Sequence, residues 1–392
     1  MATRIGILTG GGDVPGLNSV IKSVVYRATE QDFEVVGIRR GWEGLTHQKP
    51  GPEPDPDYIR PLDRRSTRAI DRSGGTMLHT SRTNPARMKA SRLPAHLDPA
   101  RLRSLEKAEG LYDLTPIVLE NLERLGIERL VAIGGDDTLG YGHRLGEEGV
   151  PLVAIPKTMD NDVQGTEYCI GFSSAVTRAR ELINRQRTTL GSHERIGVFR
   201  IFGRNSGYTA WYAAYVTSAR CVIPEASFEL DALADLLMED RRANPSSYAF
   251  VIASEGAIWS GGTLGEEGEA DAYGHRHKID VGGALAEELR RRTGVESVHS
   301  DLTYDLRSGD PDALDQMVAM TFANVAMDLL VSGVSGRMVG VCDGKYAHSP
   351  LPDPALGPRK IDVPEMYNLA RLRPRYEDKL GSPLLLGPTL ER

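Results

Sequence analysis

The stretch Leu130-Val131-Ala132-Ile133-Gly134-Gly135-Asp136-Asp137-Thr138 decides the fold. Its apolar run predicts a buried strand, and the glycines that follow predict a tight turn. A second apolar run, Leu152 to Ile155, is followed in the same way by Pro156-Lys157-Thr158-Met159-Asp160-Asn161-Asp162. Polar turns directly after buried strands are typical of parallel sheets, which bind ligands at the carboxyl ends of their strands. The two segments supply a phosphate-cradling turn, carboxylates and a lysine, which is the equipment of phosphoryl transfer.

Similar short apolar runs recur along the chain and alternate with amphipathic helical patterns, such as the one after Asn18. These further runs are Ile5 to Leu8, Val35 to Ile38, Ile196 to Phe202, Ala249 to Ala253 and Met338 to Val341. The pattern predicts an α/β fold with a doubly wound sheet. The 392-residue chain is longer than the roughly 250–300 residues that one core usually supports, so two domains are expected.

Three stretches interrupt this pattern. Gly44 to Asp57 is rich in Pro and Gly and predicts a loop, whereas Ser260 to His277, rich in Gly and Glu, predicts an exposed insertion. The tail after Gly344 carries repeated Pro.

The composition of the chain limits the binding partners and the cellular compartment that we expect for it. The 47 basic and 54 acidic residues give a net charge of −7, so we expect no binding to nucleic acid or to a membrane. The N-terminus shows no signal-peptide pattern, and no apolar run reaches the roughly 18 residues that span a bilayer. The three cysteines, Cys169, Cys221 and Cys342, are widely spaced and predict free thiols in a reducing compartment. A cytoplasmic location is therefore expected.

The first strand ends in a glycine run, Thr9-Gly10-Gly11-Gly12-Asp13, which precedes a helix. Consecutive glycines let backbone N–H groups approach a phosphate, and the helix N-terminus adds a favourable partial charge. The alternative is a turn that serves packing alone. The run lacks the G-x-G-x-x-G spacing, which argues against a dinucleotide-dependent dehydrogenase.

The acidic pair Asp136 and Asp137 follows the second glycine turn. Carboxylates repel phosphate unless a cation lies between them, and Mg²⁺ supplies that cation. A tight turn with a capping Asp is the structural alternative, which the second carboxylate weakens.

Asp160 and Asp162 alternate along the chain, so on an extended segment they face one site. A carboxylate bonded to a sugar hydroxyl can take its proton as the oxygen attacks phosphorus, and Asp160 is the candidate base. Lys157 can neutralise a transferring phosphoryl group. Arg82 and Arg204 lie in glycine-rich segments, where guanidinium groups can clamp phosphate. The alternative for the Asp-Asn-Asp run is a structural turn with capping carboxylates.

The ordered set of segments resembles the phosphofructokinase family, in which a sugar phosphate accepts a phosphoryl group on its C1 hydroxyl. The resemblance covers roughly residues 4 to 345, apart from the insertion near 260–277 and an unfamiliar tail. It implies two doubly wound, mostly parallel-sheet (Rossmann-like) domains with the active site between them. The donor-binding domain would span 1–171 plus about 301–338, and the sugar-phosphate-binding domain 172–300 plus about 339–392.

The resemblance implies a role for each residue that matches the family's motifs. It makes Asp160 the general base with Asp162 as its electrostatic partner, and it makes Asp136 the Mg²⁺ carboxylate. Lys157 and Arg204 complete the catalytic set. The implied donor contacts are Gly11, Gly12, Arg82, Asp137 and Lys157. The implied acceptor contacts are Thr158, Asp160, Asp162, Arg195, Phe202, Gly203, Arg204, Glu255, Tyr304 and Arg307. Because Arg195 matches an arginine that reaches a neighbouring subunit, a homodimer or homotetramer is expected.

The identity of the phosphoryl donor is predicted from two positions, Asp137 and Lys157. ATP-using members of the family typically have Gly at the place of Asp137 and often at that of Lys157, whereas the Asp and Lys pair marks members that use diphosphate (pyrophosphate). A side chain at 137 fills the space that an α-phosphate and its nucleoside would need. Some ATP enzymes also carry the lysine, so Asp137 carries the distinction. The expected substrates are diphosphate and fructose 6-phosphate, in a reversible in-line transfer that needs Mg²⁺. The alternatives are ATP as donor, sedoheptulose 7-phosphate as acceptor, and a non-catalytic regulatory subunit that binds sugar phosphate.

Overall fold

The computed structural model describes residues 3–51, 53–260 and 281–380, together with two short strands inside the remaining segment. The predicted insertion from Ser260 to His277 therefore lies almost wholly outside the described residues. Its two short strands pair in antiparallel fashion.

The secondary structure alternates strands and helices over most of the chain. The strands are β1 Arg4–Thr9, β2 Glu34–Ile38, β3 Ile59–Leu62, β4 Met88–Lys89, β5 Glu106–Ala108, β6 Leu111–Tyr112, β7 Arg129–Gly134, β8 Leu152–Pro156, β9 Ile196–Ile201, β10 Arg220–Val222, β11 Ala249–Ser254, β12 Glu266–Glu267, β13 His277–Lys278, β14 Ser297–Asp301, β15 Arg337–Cys342, β16 Lys345–Pro350, β17 Tyr367–Asn368 and β18 Arg373–Pro374. The helices are α1 Leu17–Thr29, α2 Glu43–Thr46, α3 Pro99–Leu105, α4 Thr115–Arg124, α5 Asp136–Glu147, α6 Phe172–Ser192, α7 Tyr208–Thr217, α8 Leu230–Ala243, α9 Val281–Thr293, α10 Tyr304–Arg307, α11 Ala313–Val331 and α12 Val363–Met366. Short 3-10 turns lie at Ile70–Arg72, Pro85–Arg87, Ala90–Arg92 and Pro354–Leu356.

The large sheet has seven strands in the order β16-β15-β8-β7-β1-β2-β3. Its five inner strands are parallel, and the two edge strands, β3 and β16, run antiparallel to their neighbours. Successive residues of an inner strand enter different cores: Val131 and Ile133 belong to one cluster, Leu130 and Ala132 to the other. Because alternate side chains point to opposite faces, both faces of this sheet are covered, as predicted for a doubly wound fold.

The small sheet has four parallel strands in the order β10-β11-β9-β14. Helices α7, α8 and α9 pack against its strands. The prediction of an α/β fold with two mostly parallel sheets is therefore confirmed.

Two predicted segment boundaries fall inside elements of the structure. The approximate domain boundary at residue 338 falls inside β15, and β15 and β16 both belong to the large sheet. The later tail packs on the small sheet, where Leu372 accepts the N–H of Cys221 at 2.9 Å. The predicted loop from Gly44 to Asp57 begins within helix α2.

Helix α11 is, among the described helices, the one long and apolar enough to cross a membrane, and half of its most apolar window is buried in the protein. It packs against α1, α6 and β8. Its Asp315 is buried and accepts hydrogen bonds from the Tyr168 hydroxyl at 2.6 Å and from two backbone N–H groups. These contacts make α11 a core helix of the folded chain.

Candidate active site

The carboxyl ends of β1, β7 and β8 lie side by side, because Thr9 pairs with Ile133 and Gly134 pairs with Pro156. The three polar segments predicted from the sequence begin at these strand ends and meet at one edge of the large sheet. They open onto a cavity of about 700 Å³ that also reaches the small sheet. The predicted residues that line it are Gly11, Gly12, Arg82, Asp136, Asp137, Lys157, Thr158, Asp160, Asp162, Phe202, Arg204, Glu255 and Arg307.

The first glycine turn is fixed by contacts with Ser81 and Arg307. Gly11 has a φ of +77° and donates its N–H to Ser81 O at 3.0 Å. The Arg307 guanidinium packs on Gly12 so closely that a side chain at residue 12 would displace it. Arg307 is fixed there because its Nε donates to Asp13 O at 3.0 Å. The structure thus brings Arg307, predicted at the acceptor, against the turn predicted to hold the donor.

Lys157 is buried, and its Nζ donates to Gly12 O at 2.6 Å. Burial, with the nearby Arg307 and Arg82 charges, lowers the pKa of Lys157 to about 7. The Asp13 carboxylate acts to raise this pKa, but burial and the two arginines outweigh it and favour the neutral amine. This position therefore gains from an anionic ligand that restores the charged form.

The three carboxylates around the second and third segments show the opposite effect. Burial, with repulsion from Asp162 and Asp137, raises the pKa of Asp136 to about 8. Burial and the Asp162 charge also raise the pKa of Asp160 well above its ordinary value, and burial raises the pKa of Asp162 to about 6. Oδ1 of Asp160 is shielded from solvent and has no hydrogen-bond partner among the described residues. Clusters of carboxylates with raised pKa values are typical of functional sites, where a bound cation can balance their negative charge.

The small sheet supplies the other wall of the cavity. Arg204, on the loop after β9, has its Nε 3.5 Å from Oε1 of the buried Glu255, which follows β11. A second arginine, Arg200 in β9, lies 3.9 Å from Glu255 and 3.3 Å from Asp301. Of the two arginines, Arg204 lines the cavity and acts on the Asp160 carboxylate of the large sheet.

Three predicted site residues do not line the cavity. Tyr304 is exposed and sets its ring edge-on to Phe202 at 5.8 Å, and Gly203 accepts the Ser254 hydroxyl at 2.6 Å behind the cavity wall. Arg195 forms an ion pair with Glu296 at 2.9 Å, away from the cavity.

Several cavity residues were not predicted from the sequence. Tyr141 and Arg144 lie on the face of α5 that Asp137 begins, and their spacing of four and seven residues from Asp137 could have identified them. Asn84 and Arg87 follow Arg82 closely. Three further lining residues, Pro354, Gly357 and Pro358, come from the tail, and no sequence signal pointed to them.

Within the described ranges, no group of three or more His, Cys, Asp or Glu side chains is placed to hold a metal ion by itself. Mg²⁺ sites at phosphates usually take one or two carboxylates, with phosphate oxygens and water as the other ligands. The absence of a complete protein cage is therefore compatible with a magnesium site at Asp136.

A two-sheet α/β fold with a cavity of cations and carboxylates at its strand ends is suited to phosphoryl transfer. The family model for phosphofructokinase matches residues 4–330, and the chain belongs to the phosphofructokinase family. It is 36% identical to a protein named pyrophosphate--fructose 6-phosphate 1-phosphotransferase from Amycolatopsis methanolica, over 94% of this chain and 99% of that protein. It is 35% identical to a protein named ATP-dependent 6-phosphofructokinase 3 from Streptomyces coelicolor, over 86% of this chain and 90% of that protein. A crystal structure of a pyrophosphate-dependent phosphofructokinase from Marinobacter aquaeolei shares the fold, with a TM-score of 0.73 at 16% identity over all of this chain and 93% of that one.

Proposed function

We propose that the chain transfers a phosphoryl group from diphosphate to the C1 hydroxyl of fructose 6-phosphate, giving fructose 1,6-bisphosphate and phosphate. The observation that carries the proposal is the acidic side chain of Asp137, which lines the cavity one residue after Asp136. A donor that continues past its second phosphate would bring further negative charge to this side chain. Relatives named for either donor are about equally similar, so Asp137 rather than a relative's name supports diphosphate.

Asp160 is proposed as the general base. As the C1 oxygen attacks the terminal phosphorus, Asp160 accepts the hydroxyl proton, and the bond from that phosphorus to the bridging oxygen breaks. The bridging oxygen leaves with the departing phosphate. Burial raises the pKa of Asp160, which makes its carboxylate a stronger base, while Arg307 and Arg204 act to lower that pKa and favour the ionised form.

The cations of the cavity are proposed to bind the anions. Lys157, Gly11, Gly12 and Arg82 would hold diphosphate, and Arg204 would face the charge that develops on the transferring group. The acceptor would bind through Thr158, Asp162, Phe202, Glu255 and Arg307, which line the cavity. Gly203 and Tyr304, which adjoin the lining residue Phe202, would reach it from next to the cavity. Arg195 would reach the acceptor phosphate of a neighbouring subunit in a homodimer or homotetramer.

Mg²⁺ is the proposed cofactor, and the residues present fit it. Repulsion from Asp162 and Asp137 contributes to the raised pKa of Asp136, and a cation would relieve that repulsion. Asp136 would hold the ion together with diphosphate oxygens. Bound Mg²⁺ neutralises donor charge and polarises the phosphoryl group.

Initial rates with each donor test the proposal. Purified protein is assayed with fructose 6-phosphate, Mg²⁺ and either diphosphate or ATP, and sedoheptulose 7-phosphate replaces the acceptor in a parallel series. We expect kcat/KM with diphosphate to exceed that with ATP by at least about 100-fold, the scale of a contact that admits one ligand and rejects another. A higher kcat/KM with ATP would reject the donor assignment, a higher value with the larger sugar would reject the acceptor, and no turnover with any pair would favour a regulatory subunit.

A further inference from the structure

The tail segment 354–361 lies against the catalytic cavity, and the proposed function gives it no role. Pro354, Gly357 and Pro358 line the cavity. Pro354 packs on α5 so closely that a Cβ on Gly140 would lie 2.7 Å from its Cγ. The segment begins beyond residue 330, where the family match ends. It is therefore a part of the cavity wall that the family match does not include.

Arg359 ties this segment to the loop that carries the proposed base. Its backbone N–H donates to Asp162 O at 2.6 Å. Its side chain is buried, and Nη2 donates to Asn161 O at 2.7 Å and to Glu167 O at 3.3 Å. The guanidinium carbon lies 4.6 Å from the centre of the Tyr208 ring. Arg359 thus donates hydrogen bonds to the carbonyl oxygens of Asn161 and Asp162, the two residues that follow Asp160.

The residues after Arg359 tie the same segment to the loop that carries Arg204. The Tyr208 hydroxyl donates to Lys360 O at 2.9 Å. One oxygen of Glu225 accepts the N–H of Gly207 at 2.8 Å and the N–H of Ile361 at 3.0 Å. The tail therefore connects the base loop of the large sheet with the arginine loop of the small sheet.

The direction of the Asp160 carboxylate depends on this backbone. Oδ1 of Asp160 has no hydrogen-bond partner in the described part of the chain, so that oxygen does not fix the side chain. The next residue, Asn161, has a φ of +53°, a left-handed conformation that Asn adopts more readily than most L-residues. The backbone around it is held by Arg359, which donates to Asn161 O at 2.7 Å, and by Thr209, which donates to Met159 O at 2.7 Å.

We infer that Arg359 is a positioning residue for phosphoryl transfer, because it holds the backbone of residues 160–162 so that Asp160 faces the acceptor hydroxyl. The inference rests on the proposed function in taking Asp160 as the base. General-base catalysis requires the base within hydrogen-bond reach of the proton, so a shift of this loop lowers the rate of the chemical step more than it lowers binding.

Arg359→Met tests this role, with Arg220→Met as the matched control. Arg220 is also buried and also donates to a tail carbonyl, Arg371 O at 2.6 Å, but it lies away from the cavity and pairs with Asp240. We expect Arg359→Met to lower kcat on the order of 100-fold, with a smaller change in the KM for fructose 6-phosphate, to which Asp162 of the same loop contributes, and a KM for the donor within about threefold of wild type. Arg220→Met is expected to lower the Tm and to leave kcat per folded molecule unchanged. Rates are measured on whichever donor the wild-type protein uses best.

Arg359→Lys keeps the inference testable if the Met variant does not fold. Lysine retains the charge and the buried stem but loses the planar fork, and we expect an intermediate loss of kcat. Hydrogen exchange provides a second readout: the Cys169 amide, which donates to Asn161 Oδ1 at 2.7 Å, should exchange faster in the Arg359 variants and not in Arg220→Met. Folded Arg359 variants with wild-type kcat, or variants that lose Tm alone, would overturn the inference.

Asp160→Ser, assayed alongside, separates this inference from the proposed function. If Asp160→Ser keeps near-full turnover, the base assignment fails. If Asp160→Ser loses turnover while folded Arg359→Met keeps it, the positioning role of Arg359 alone is wrong.

Discussion

The two ends of the cavity differ in how their charges are balanced. We call the large-sheet end the residues Gly11, Asp136, Asp137, Lys157, Asp160 and Asp162. The small-sheet end is Arg204 and Glu255, together with Arg200 and Asp301, which join the same ion pairs but do not line the cavity. At the large-sheet end, burial and like charges lower the pKa of Lys157 and raise the pKa of Asp136, so both side chains favour their neutral forms. At the small-sheet end, arginines and carboxylates already contact one another.

This difference suggests that the large-sheet end interacts with the reacting ligands, whereas the paired charges of the small-sheet end chiefly stabilise the protein. Unbalanced charge in a buried site opposes folding but interacts strongly with a ligand of the opposite charge, since little water competes. Charge that is already paired has less to gain from a ligand. We therefore expect substitutions at the large-sheet end to change rate and donor choice, and substitutions at the exposed rim of the small-sheet end to change little.

The largest effect is expected from Asp160→Asn, which removes the base and keeps the shape. General-base catalysis is worth about 10²–10⁴-fold, so kcat should fall by that amount. A carboxyl whose pKa is raised on folding lowers stability as the pH rises above its unfolded value, so the amide should raise the Tm, and more at pH 8 than at pH 5. Steady-state kinetics and thermal unfolding at both pH values measure this. An unchanged kcat, or a Tm lowered at pH 8, would contradict the contrast between the two ends.

Donor choice should change next. Asp137→Gly removes the acidic side chain beside Asp136, so kcat/KM should rise for ATP and fall for diphosphate, with a change in their ratio of about 10- to 200-fold. Asp137→Asn is the matched control, because it removes the charge and keeps the volume. If the Asn variant changes the ratio as much as Gly does, charge rather than space selects the donor. No change in either variant would show that Asp137 does not select it.

A smaller effect concerns the pH dependence of diphosphate binding. Because the pKa of Lys157 is about 7 without ligand, the ammonium form dominates below that pH and is lost above it. An anion binds the charged form, so the affinity should weaken as the pH rises from 6 to 8, by up to about tenfold per unit above the pKa. Calorimetric titration in the presence of Mg²⁺ measures the Kd at each pH. Lys157→Met, titrated in parallel, reports the ionisation of diphosphate itself, and equal slopes in the two proteins would exclude the lysine as the cause.

The smallest effect is expected at the rim of the small-sheet end. Asp301→Asn removes the negative charge from the 3.3 Å ion pair with Arg200, and the Asp301 side chain is 43% exposed. Exposed ion pairs contribute about 0–1 kcal/mol, so kcat/KM should change less than about fivefold. Kinetics with varied fructose 6-phosphate measure it. A loss of 100-fold would mean that Asp301 belongs to the reactive part of the cavity.

Much of the fold could be predicted from local pattern. The apolar runs after residues 4, 129, 151 and 195 correspond to β1, β7, β8 and β9, because buried parallel strands need continuous apolar sequence whatever surrounds them. The edge strands β3 and β16 were not predicted. They contain Pro61, and Lys345 with His348 and Pro350, which the apolar pattern of a buried strand does not include. Their pairing depends on the neighbouring strand that they meet.

Much of the candidate site was also accessible from the sequence. The glycine turns and acidic segments follow strands directly, so their placement at the sheet edge follows from the strands themselves. The tail residues Pro354, Gly357, Pro358 and Arg359 could not be found in this way. They come from a Pro-rich segment without periodicity, and only the packed chain brings them to the cavity.

By itself, the sequence determined the class of fold, the segments that carry the chemistry and the acidic residue that bears on donor choice, because strand formation and turns depend on residues near one another. The tertiary structure decided the environment of the ionisable side chains, and with it their pKa values. Whether a carboxylate or a lysine is buried, paired or opposed by a like charge depends on side chains brought together from distant strands. It also decided that Arg359, some two hundred residues after Asp160, lies beneath the base loop, since contacts between distant segments form only when the whole chain packs.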